Sequence, residues 1–207
     1  FALSGPNFDG NRFVSEAFAR GALAAICTEE VPGGLCLLTD DPLKSLQEFA
    51  AGHRRRYSIP VVAITGSCGK TTSKDLTASL LASRHRVART HGNLNNEIGC
   101  PLSLLQIDNE TDVAVIEMGA NHPGEIARLC SLPAPTSAGI TIIAPAHLEG
   151  FGSVENVAHA KAEIIHALPP AGTFYLNCDD PLCVQMAEGF AGRVVRFGRN
   201  GDDVRLE

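Results

Sequence analysis

Residues 61–72, VVAITGSCGKTT, decide the fold of this chain. The run from Val61 to Thr65 is apolar enough to form a buried strand, and a glycine-rich turn leads from it into a helical pattern that begins near Thr71. Glycines allow a tight turn in which successive N–H groups face one concavity beside the positive end of a helix dipole. The stretch therefore predicts a loop that binds a polyphosphate.

The turn predicts an ATP site with a magnesium ion. Lys70 is placed to hold the β- and γ-phosphates, and the Thr71 hydroxyl to face the metal. The complete P-loop pattern has a further glycine where this chain has Ile64, so the loop is a shortened variant. The predicted nucleotide-binding residues are Gly66, Ser67, Cys68, Gly69, Lys70, Thr71 and Thr72. Cys68 is expected to contribute its backbone and not a reactive thiol.

Downstream of this loop, short apolar runs alternate with amphipathic segments. The pattern predicts strands at 113–117, 138–143, 173–176 and 194–197, and helices at about 71–83, 124–130, 154–168 and 181–187. Strands separated by helices in this rhythm form a mostly parallel sheet with helices on both faces. The predicted class is α/β, with ligands at the carboxyl ends of the strands.

The residues before the sheet predict a smaller unit. Residues 1–57 show a helical pattern, two apolar runs and a second helix, which indicates a small α/β domain with a βαβ-like arrangement. Arg54-Arg55-Arg56 and Pro60 then break the pattern, and the arginines are expected at a solvated helix end. We place the domains at 1–57 and 58–207.

Composition excludes several classes of protein. With 44% hydrophobic and 19% charged residues in 207, the chain is expected to be globular, and no apolar run is long enough to span a membrane. A net charge of -6 gives no electrostatic footprint for nucleic acid. The seven scattered cysteines indicate neither a disulfide framework nor a zinc site, which favours a cytoplasmic protein. No signal peptide is apparent, and a first residue other than Met suggests a fragment.

Two side chains follow predicted strands and are candidate metal ligands. Glu117 ends the strand at 113–117, so its carboxylate is expected beside the phosphate loop, where Mg²⁺ requires anionic oxygen. His147 follows the predicted strand at 138–143 and can reach the same edge of the sheet. A lone histidine is more often structural, so its spacing alone leaves both readings open.

Lys161 lies in an apolar stripe of the helix predicted at 154–168. Val157, Ala158, Ile164 and Ile165 recur at helical spacing on the same side. A lysine buried there must lose its proton, pair with an acid or be chemically altered. The remaining alternative is that its stem extends to the surface and leaves the charge in water.

Five motifs together resemble the Mur ligase family, the ATP-dependent amide-forming enzymes of peptidoglycan precursor synthesis. The motifs are TGSCGKTT at 65–72, GNLNNEIG at 92–99, VIEMGANHPGEI at 115–126, AHLEGFGS at 146–153 and AKAEI at 160–164. Within the family, Asn95-Asn96 and the Ala-Asn-His run at 120–122 favour the member that joins D-alanyl-D-alanine to UDP-N-acetylmuramoyl-tripeptide.

The resemblance implies roles for the matching positions. Lys70, Glu117, His147 and Lys161 would be catalytic, with Thr71 and Glu117 on one Mg²⁺, and His147 with Glu117 on a second. Lys161 would be carbamylated by CO2 and face that second metal. The nucleotide or peptide substrate would pass Asn95, Asn96, Asn121 and His122, and residues 2–10 would hold the UDP group. The resemblance also implies an incomplete central domain without the C-terminal domain, so this chain alone is expected to be inactive.

Two departures keep alternatives open. The family usually has Asn where this chain has Ile142, and Gly where it has Ala144. The first alternative is another Mur or folylpolyglutamate-type ligase, which the Asn95-Asn96 segment disfavours. The second is a truncated nucleotide-binding module without ligase turnover. A monomer is expected in either case.

Overall fold

The computed structural model describes residues 1–205. Contacts divide the chain into two compact units, Phe1–Ala50 and Ala51–Glu207, whereas the sequence places a boundary near residue 57. Over the described residues, none of the helices combines the length and the apolar character that crossing a membrane requires.

The first unit is built around a small apolar cluster. Its elements are β1 (Ser4–Gly5), β2 (Phe8–Asp9), a 3₁₀ turn (Gly10–Phe13), α1 (Val14–Ala19), β3 (Ala24–Cys27), β4 (Leu35–Leu38) and α2 (Pro42–Arg54), which runs past Ala50. The first two strands are antiparallel, and β3 and β4 are parallel. The expected βαβ-like arrangement is wrong, because residues 28–34, which join β3 to β4, form turns and no helix.

The second unit is a seven-stranded sheet with helices. Its elements are β5 (Val61–Thr65), α3 (Lys70–Leu81), β6 (Val87–Arg89), α4 (Gly99–Leu104), β7 (Val113–Glu117), α5 (Glu125–Ser131), β8 (Ser137–Ile140), α6 (Leu148–Phe151), α7 (Val154–His166), β9 (Thr173–Asn177), α8 (Pro181–Met186), β10 (Arg193–Gly198) and β11 (Val204–Arg205). The strand order is β11-β10-β9-β8-β5-β7-β6, and every neighbouring pair is parallel. The predicted parallel α/β fold is confirmed.

Strand β5 marks the point where the topology reverses. The chain leaves β5 through α3 toward β6, and after β7 it crosses through α5 to β8 on the other side of β5. Right-handed crossovers place α3 on one face of the sheet and α5, α7 and α8 on the other. Ligands of such sheets bind where the loops diverge, at the carboxyl ends of β5 and its neighbours.

The strand predicted at 138–143 ends early, at Ile140. The backbone of the next residues turns to other partners: the Ile142 carbonyl accepts from the Ser67 N–H at 2.8 Å, and the Ile143 N–H donates to Asp180 Oδ2 at 2.6 Å. These bonds replace the ladder that would have continued β8. The segment thereby becomes a second wall beside the predicted phosphate loop.

Arg54 contradicts the expectation that the arginine cluster is solvated. Its side chain is buried, and its Nη2 donates to the Ile59 carbonyl at 2.9 Å while Nη1 donates to the Tyr57 carbonyl. A guanidinium group can be buried when backbone carbonyls accept its hydrogen bonds. Arg55 and Arg56 are exposed, as expected.

Candidate functional site

The loop after β5 presents a row of free backbone donors. Among the described residues, the N–H groups of Cys68 through Thr72 have no protein acceptor. Gly66 and Gly69 have φ angles of 146° and 79°, values that favour glycine, and the 12-residue helix α3 starts at Lys70. Consecutive free amides at a helix N-terminus form an anion-binding concavity.

The segment after β8 holds this loop in shape. Thr141 Oγ1 donates to the Cys68 carbonyl at 2.6 Å, and Ser67 Oγ donates to the Ala144 carbonyl at 2.9 Å and accepts from the Ala144 N–H at 3.0 Å. Ile142 and Ala144, which depart from the family pattern, contribute only backbone atoms to these contacts. Their side chains therefore leave the geometry of the loop intact.

Gly66 admits no side chain at this position. A Cβ atom there would lie 1.9 Å from Thr141 Oγ1. The φ angle of Gly66 would also strain any residue type that has a side chain. We expect Gly66→Ala to lower the free energy of unfolding by roughly 2–3 kcal/mol and to weaken ADP binding, because backbone strain and overpacking act together. Urea unfolding and calorimetric titration with ADP measure the two effects.

Gly52→Ala is the matched control for that substitution. The Cβ atom of Gly52 would lie within α2, with Arg55 Nη2 at 3.8 Å as its nearest neighbour. Alanine is favoured over glycine inside a helix, so this variant should be neutral or more stable. Equal stability and ADP affinity of Gly66→Ala and Gly52→Ala would contradict the described loop geometry.

Glu117 is buried at the carboxyl end of β7, beside the phosphate loop. Its Oε1 accepts from Thr71 Oγ1 at 3.2 Å and from Asn95 Nδ2 at 2.8 Å. Its Oε2 is buried and has no hydrogen-bond partner in the described part of the chain. A buried carboxylate oxygen left unpaired is costly unless something else satisfies it, so this atom indicates a missing ligand.

The donor set fits a magnesium ion whose coordination is completed by phosphate and water. Glu117 and Thr71 supply hard oxygen atoms in contact with each other. Over the described residues there is no group of three or more His, Cys, Asp and Glu side chains able to hold a metal. Mg²⁺ typically keeps water and binds substrate phosphates beside one or two carboxylates, which suits this arrangement.

Two lysines belong to the candidate site. Lys70 Nζ donates to the Gly66 carbonyl at 2.9 Å. Lys161 is 2% exposed, and its Nζ lies 5.9 Å from the ring centroid of Phe151. Burial, and then the charge of Lys70, lower the pKa of Lys161 to about 8. The prediction that Lys161 is buried in α7 is confirmed, and extension of its charge into water is excluded.

His147 is exposed and lies apart from these contacts. It is the N-cap residue of α6, with φ 51°, and among residues 1–205 its side chain has no hydrogen-bond or ion-pair partner. The backbone of α6 meets the Asn121-His122 turn, since a Cβ atom on Gly150 would lie 2.2 Å from the Asn121 carbonyl oxygen. Among the described residues His147 and Glu117 share no hydrogen bond or ion pair, so the metal role of His147 stays a prediction.

The Asn121-His122 turn is held from two sides. Glu125 Oε2 accepts from both backbone N–H groups of the turn, at 2.7 and 3.3 Å, and Glu163 Oε1 accepts from the Gly124 N–H at 2.6 Å. Burial opposes ionisation of Glu125, but these N–H donors outweigh it and lower the pKa of the carboxyl. Both side chains of the turn are exposed and available to a substrate.

The two other predicted substrate residues have structural partners. Asn96 Oδ1 accepts from the Gly99 N–H at 2.9 Å, at the start of α4, while Asn95 donates to Glu117. The sequence did not identify Thr141 as a support of the loop, because its partner Cys68 is distant in the chain. It also missed Thr90, whose hydroxyl accepts from the Glu117 N–H at 3.0 Å.

The parallel sheet, the glycine loop after its central strand and the helix that follows define a phosphate-loop α/β protein. Residues 64–207 match the family model described as the Mur ligase middle domain, so the chain belongs to the Mur ligase family.

Relatives that share one name match most of this chain. The UDP-N-acetylmuramoyl-tripeptide--D-alanyl-D-alanine ligase of Synechocystis is 38% identical over 208 residues, which are 98% of this chain and 46% of that protein. The Escherichia coli ligase of this name is 44% identical over 180 residues, 86% of this chain and 40% of that protein. The chain thus spans less than half the length of these relatives.

Solved structures agree with this assignment. The MurF ligase of Thermotoga maritima, determined in complex with ADP, superposes with a TM-score of 0.90 at 34% identity, over 100% of this chain and 48% of that one. MurF from Acinetobacter baumannii gives a TM-score of 0.90 at 35% identity, over 97% of this chain and 45% of that one.

Proposed function

We propose that this chain is the nucleotide-binding part of an ATP-dependent ligase that joins D-alanyl-D-alanine to UDP-N-acetylmuramoyl-tripeptide. The observation that carries the proposal is the unpaired Oε2 of Glu117, buried beside Thr71 and the free amides of residues 68–72. The names of the relatives support these substrates. Asn121 and His122 are exposed where a substrate can reach them.

The proposed reaction has two steps. The γ-phosphoryl group of ATP passes to the terminal carboxylate of the peptide, which gives ADP and an acyl phosphate. The amine of D-alanyl-D-alanine then attacks the acyl carbon, the amide bond forms, phosphate leaves and the amine loses a proton. Phosphoryl transfer of this kind is accelerated mainly by positioning and by neutralisation of charge.

The described residues supply both effects. The amides of residues 68–72 orient the phosphates, and Lys70 neutralises their charge once its ammonium group exchanges the Gly66 carbonyl for phosphate oxygen. Glu117 and Thr71 would hold one Mg²⁺, and His147 with Glu117 a second ion, which a carbamylated Lys161 would face. When bound, the metal ions stabilise negative charge on the transferred group.

Further parts of the proposal concern the rest of the molecule. Residues 2–10, which include the β1–β2 hairpin, are proposed to hold the UDP group. We also propose that the protein is cytoplasmic and monomeric. The cysteines are free in the described residues, as expected of a reducing compartment.

Phosphate release by the full-length protein tests the function. We expect phosphate release only when ATP, the tripeptide nucleotide and D-alanyl-D-alanine are all present. ATP and the tripeptide nucleotide are needed to form the acyl phosphate, and D-alanyl-D-alanine is needed to displace the phosphate from it. Release with a folate and glutamate instead would favour a folylpolyglutamate-type ligase. Folded protein that binds ADP but releases no phosphate with either set would favour a binding module without turnover.

A further inference from the structure

Lys74 is a buried lysine that the proposed mechanism does not use. It lies on α3, one turn beyond Lys70, and its side chain is 2% exposed, among the largest fully buried side chains of the described residues. Lysine is rarely buried unless its charge is paired, because desolvation of an ammonium group is expensive. Its partners therefore indicate why the residue is there.

The ammonium group of Lys74 has two partners. Its Nζ donates to the Thr90 carbonyl at 2.9 Å and lies 3.0 Å from Asp75 Oδ1. Asp75 is half exposed and also pairs with Arg89 Nη1 at 2.8 Å. The Asp75 contact is shared with a second cation, whereas the Thr90 carbonyl lies inside the protein and has Lys74 as its hydrogen-bond donor.

Thr90 links Lys74 to Glu117. Thr90 is completely buried directly after β6, and each of its polar groups is engaged. Its carbonyl accepts from Lys74, its N–H donates to the Val115 carbonyl at 3.1 Å, and its hydroxyl accepts from the Glu117 N–H at 3.0 Å. Lys74 therefore holds Thr90 by its carbonyl, and Thr90 in turn holds the backbone N–H of Glu117.

We infer that Lys74 is a positioning residue, which acts through Thr90 to hold the Glu117 carboxylate against Thr71 for cation binding. The inference rests on the proposed function. Lys74 contacts neither Glu117 nor the free amides of the loop, so its effect is indirect. A buried cation is weak evidence that the residue stabilises the fold, because apolar residues can often replace it without loss of stability. Positioning of Glu117 gives Lys74 a role other than stability.

The test compares ADP binding by the full-length protein with and without Mg²⁺, for wild type and Lys74→Met. In the wild type Mg²⁺ should tighten ADP binding, because Glu117 and Thr71 complete the metal site. In Lys74→Met that tightening should shrink about 10- to 100-fold, the usual cost of losing an outer support of a metal ligand. ADP binding in the presence of EDTA should stay within about threefold of wild type, since the loop amides and Lys70 are untouched.

Three further variants serve as controls and as an independent test. Lys44→Met removes a lysine that is 69% exposed and should behave as wild type. Thr90→Val keeps the backbone carbonyl but removes the hydroxyl that accepts from the Glu117 N–H, so it should show the same smaller Mg²⁺ effect on ADP binding even if Lys74→Met does not fold. Thr90→Ser keeps a hydroxyl and should retain the wild-type Mg²⁺ effect. The inference would be overturned if Mg²⁺ tightened ADP binding by Lys74→Met or Thr90→Val as much as it does in the wild type. It would also be overturned if either variant bound ADP more weakly by the same factor with and without Mg²⁺. Absence of any Mg²⁺ effect in the wild type would instead contradict the proposed function.

Discussion

Replacement of Lys70 by alanine should lower phosphate release by the full-length protein about 10³-fold or more. Lys70 extends beside the row of free amides at residues 68–72, and within residues 1–205 its ammonium group has only the Gly66 carbonyl as a hydrogen-bond acceptor. Its removal takes away the positive charge that neutralises the transferred phosphoryl group. Steady-state phosphate release and ADP titration measure the loss.

Stability should change little in Lys70→Ala, because the side chain is half-buried and its one bond is to a loop carbonyl. Lys44→Ala, on the exposed side of α2, controls for the loss of a lysine. If Lys70→Ala bound ADP and released phosphate as the wild type does, the assignment of the loop would be refuted.

Lys161→Ala should be inactive and partly restored by a short carboxylic acid such as acetate. Burial and Lys70 lower the pKa of Lys161 to about 8, so its neutral amine forms more readily near neutral pH than that of an exposed lysine. The neutral amine can add CO2 and release a proton, which gives a carbamate. The carbamate replaces the ammonium group of Lys161 by an anion, which removes its repulsion from Lys70 and can face a metal.

Rescue distinguishes a missing carboxylate from a misfolded helix. Acetate should raise phosphate release by Lys161→Ala and leave Lys70→Ala unchanged. His159→Ala is the matched control, because His159 is exposed on the same helix. Full activity of Lys161→Ala without any additive would rule out a role for a carbamate.

The features that local sequence determines were predictable. The spacing of Val157, Ile164 and Ile165 defines the buried side of α7, so it also identifies Lys161 as buried. The glycines after β5 identify the turn in the same way, because few other residues adopt such φ angles.

Neither the carbonyl acceptors of a local turn nor the contacts between distant segments were predictable from patterns. Arg54 is buried because the chain turns back and offers the Tyr57 and Ile59 carbonyls, an event that composition does not encode. Strand β8 ends at Ile140 because its next residues bond to the loop more than 70 positions earlier in the chain.

The candidate site shows the same division. Glu117 was identified from the end of its strand, but its partner Asn95 lies 22 residues away and was assigned to the substrate. Lys74 and Thr90 carry no motif that distinguishes them, and only the fold brings them to the same network. His147 is predicted from the strand that precedes it and from the resemblance, but the structure shows it exposed.

The most direct test is a crystal structure of the full-length protein with Mg²⁺ and a non-hydrolysable ATP analogue. It should show the phosphates on the amides of residues 68–72 and on Lys70 Nζ, with Mg²⁺ bonded to Thr71 Oγ1 and Glu117 Oε2. A nucleotide bound at another edge of the sheet, or a metal that leaves Glu117 without a contact, would contradict the account.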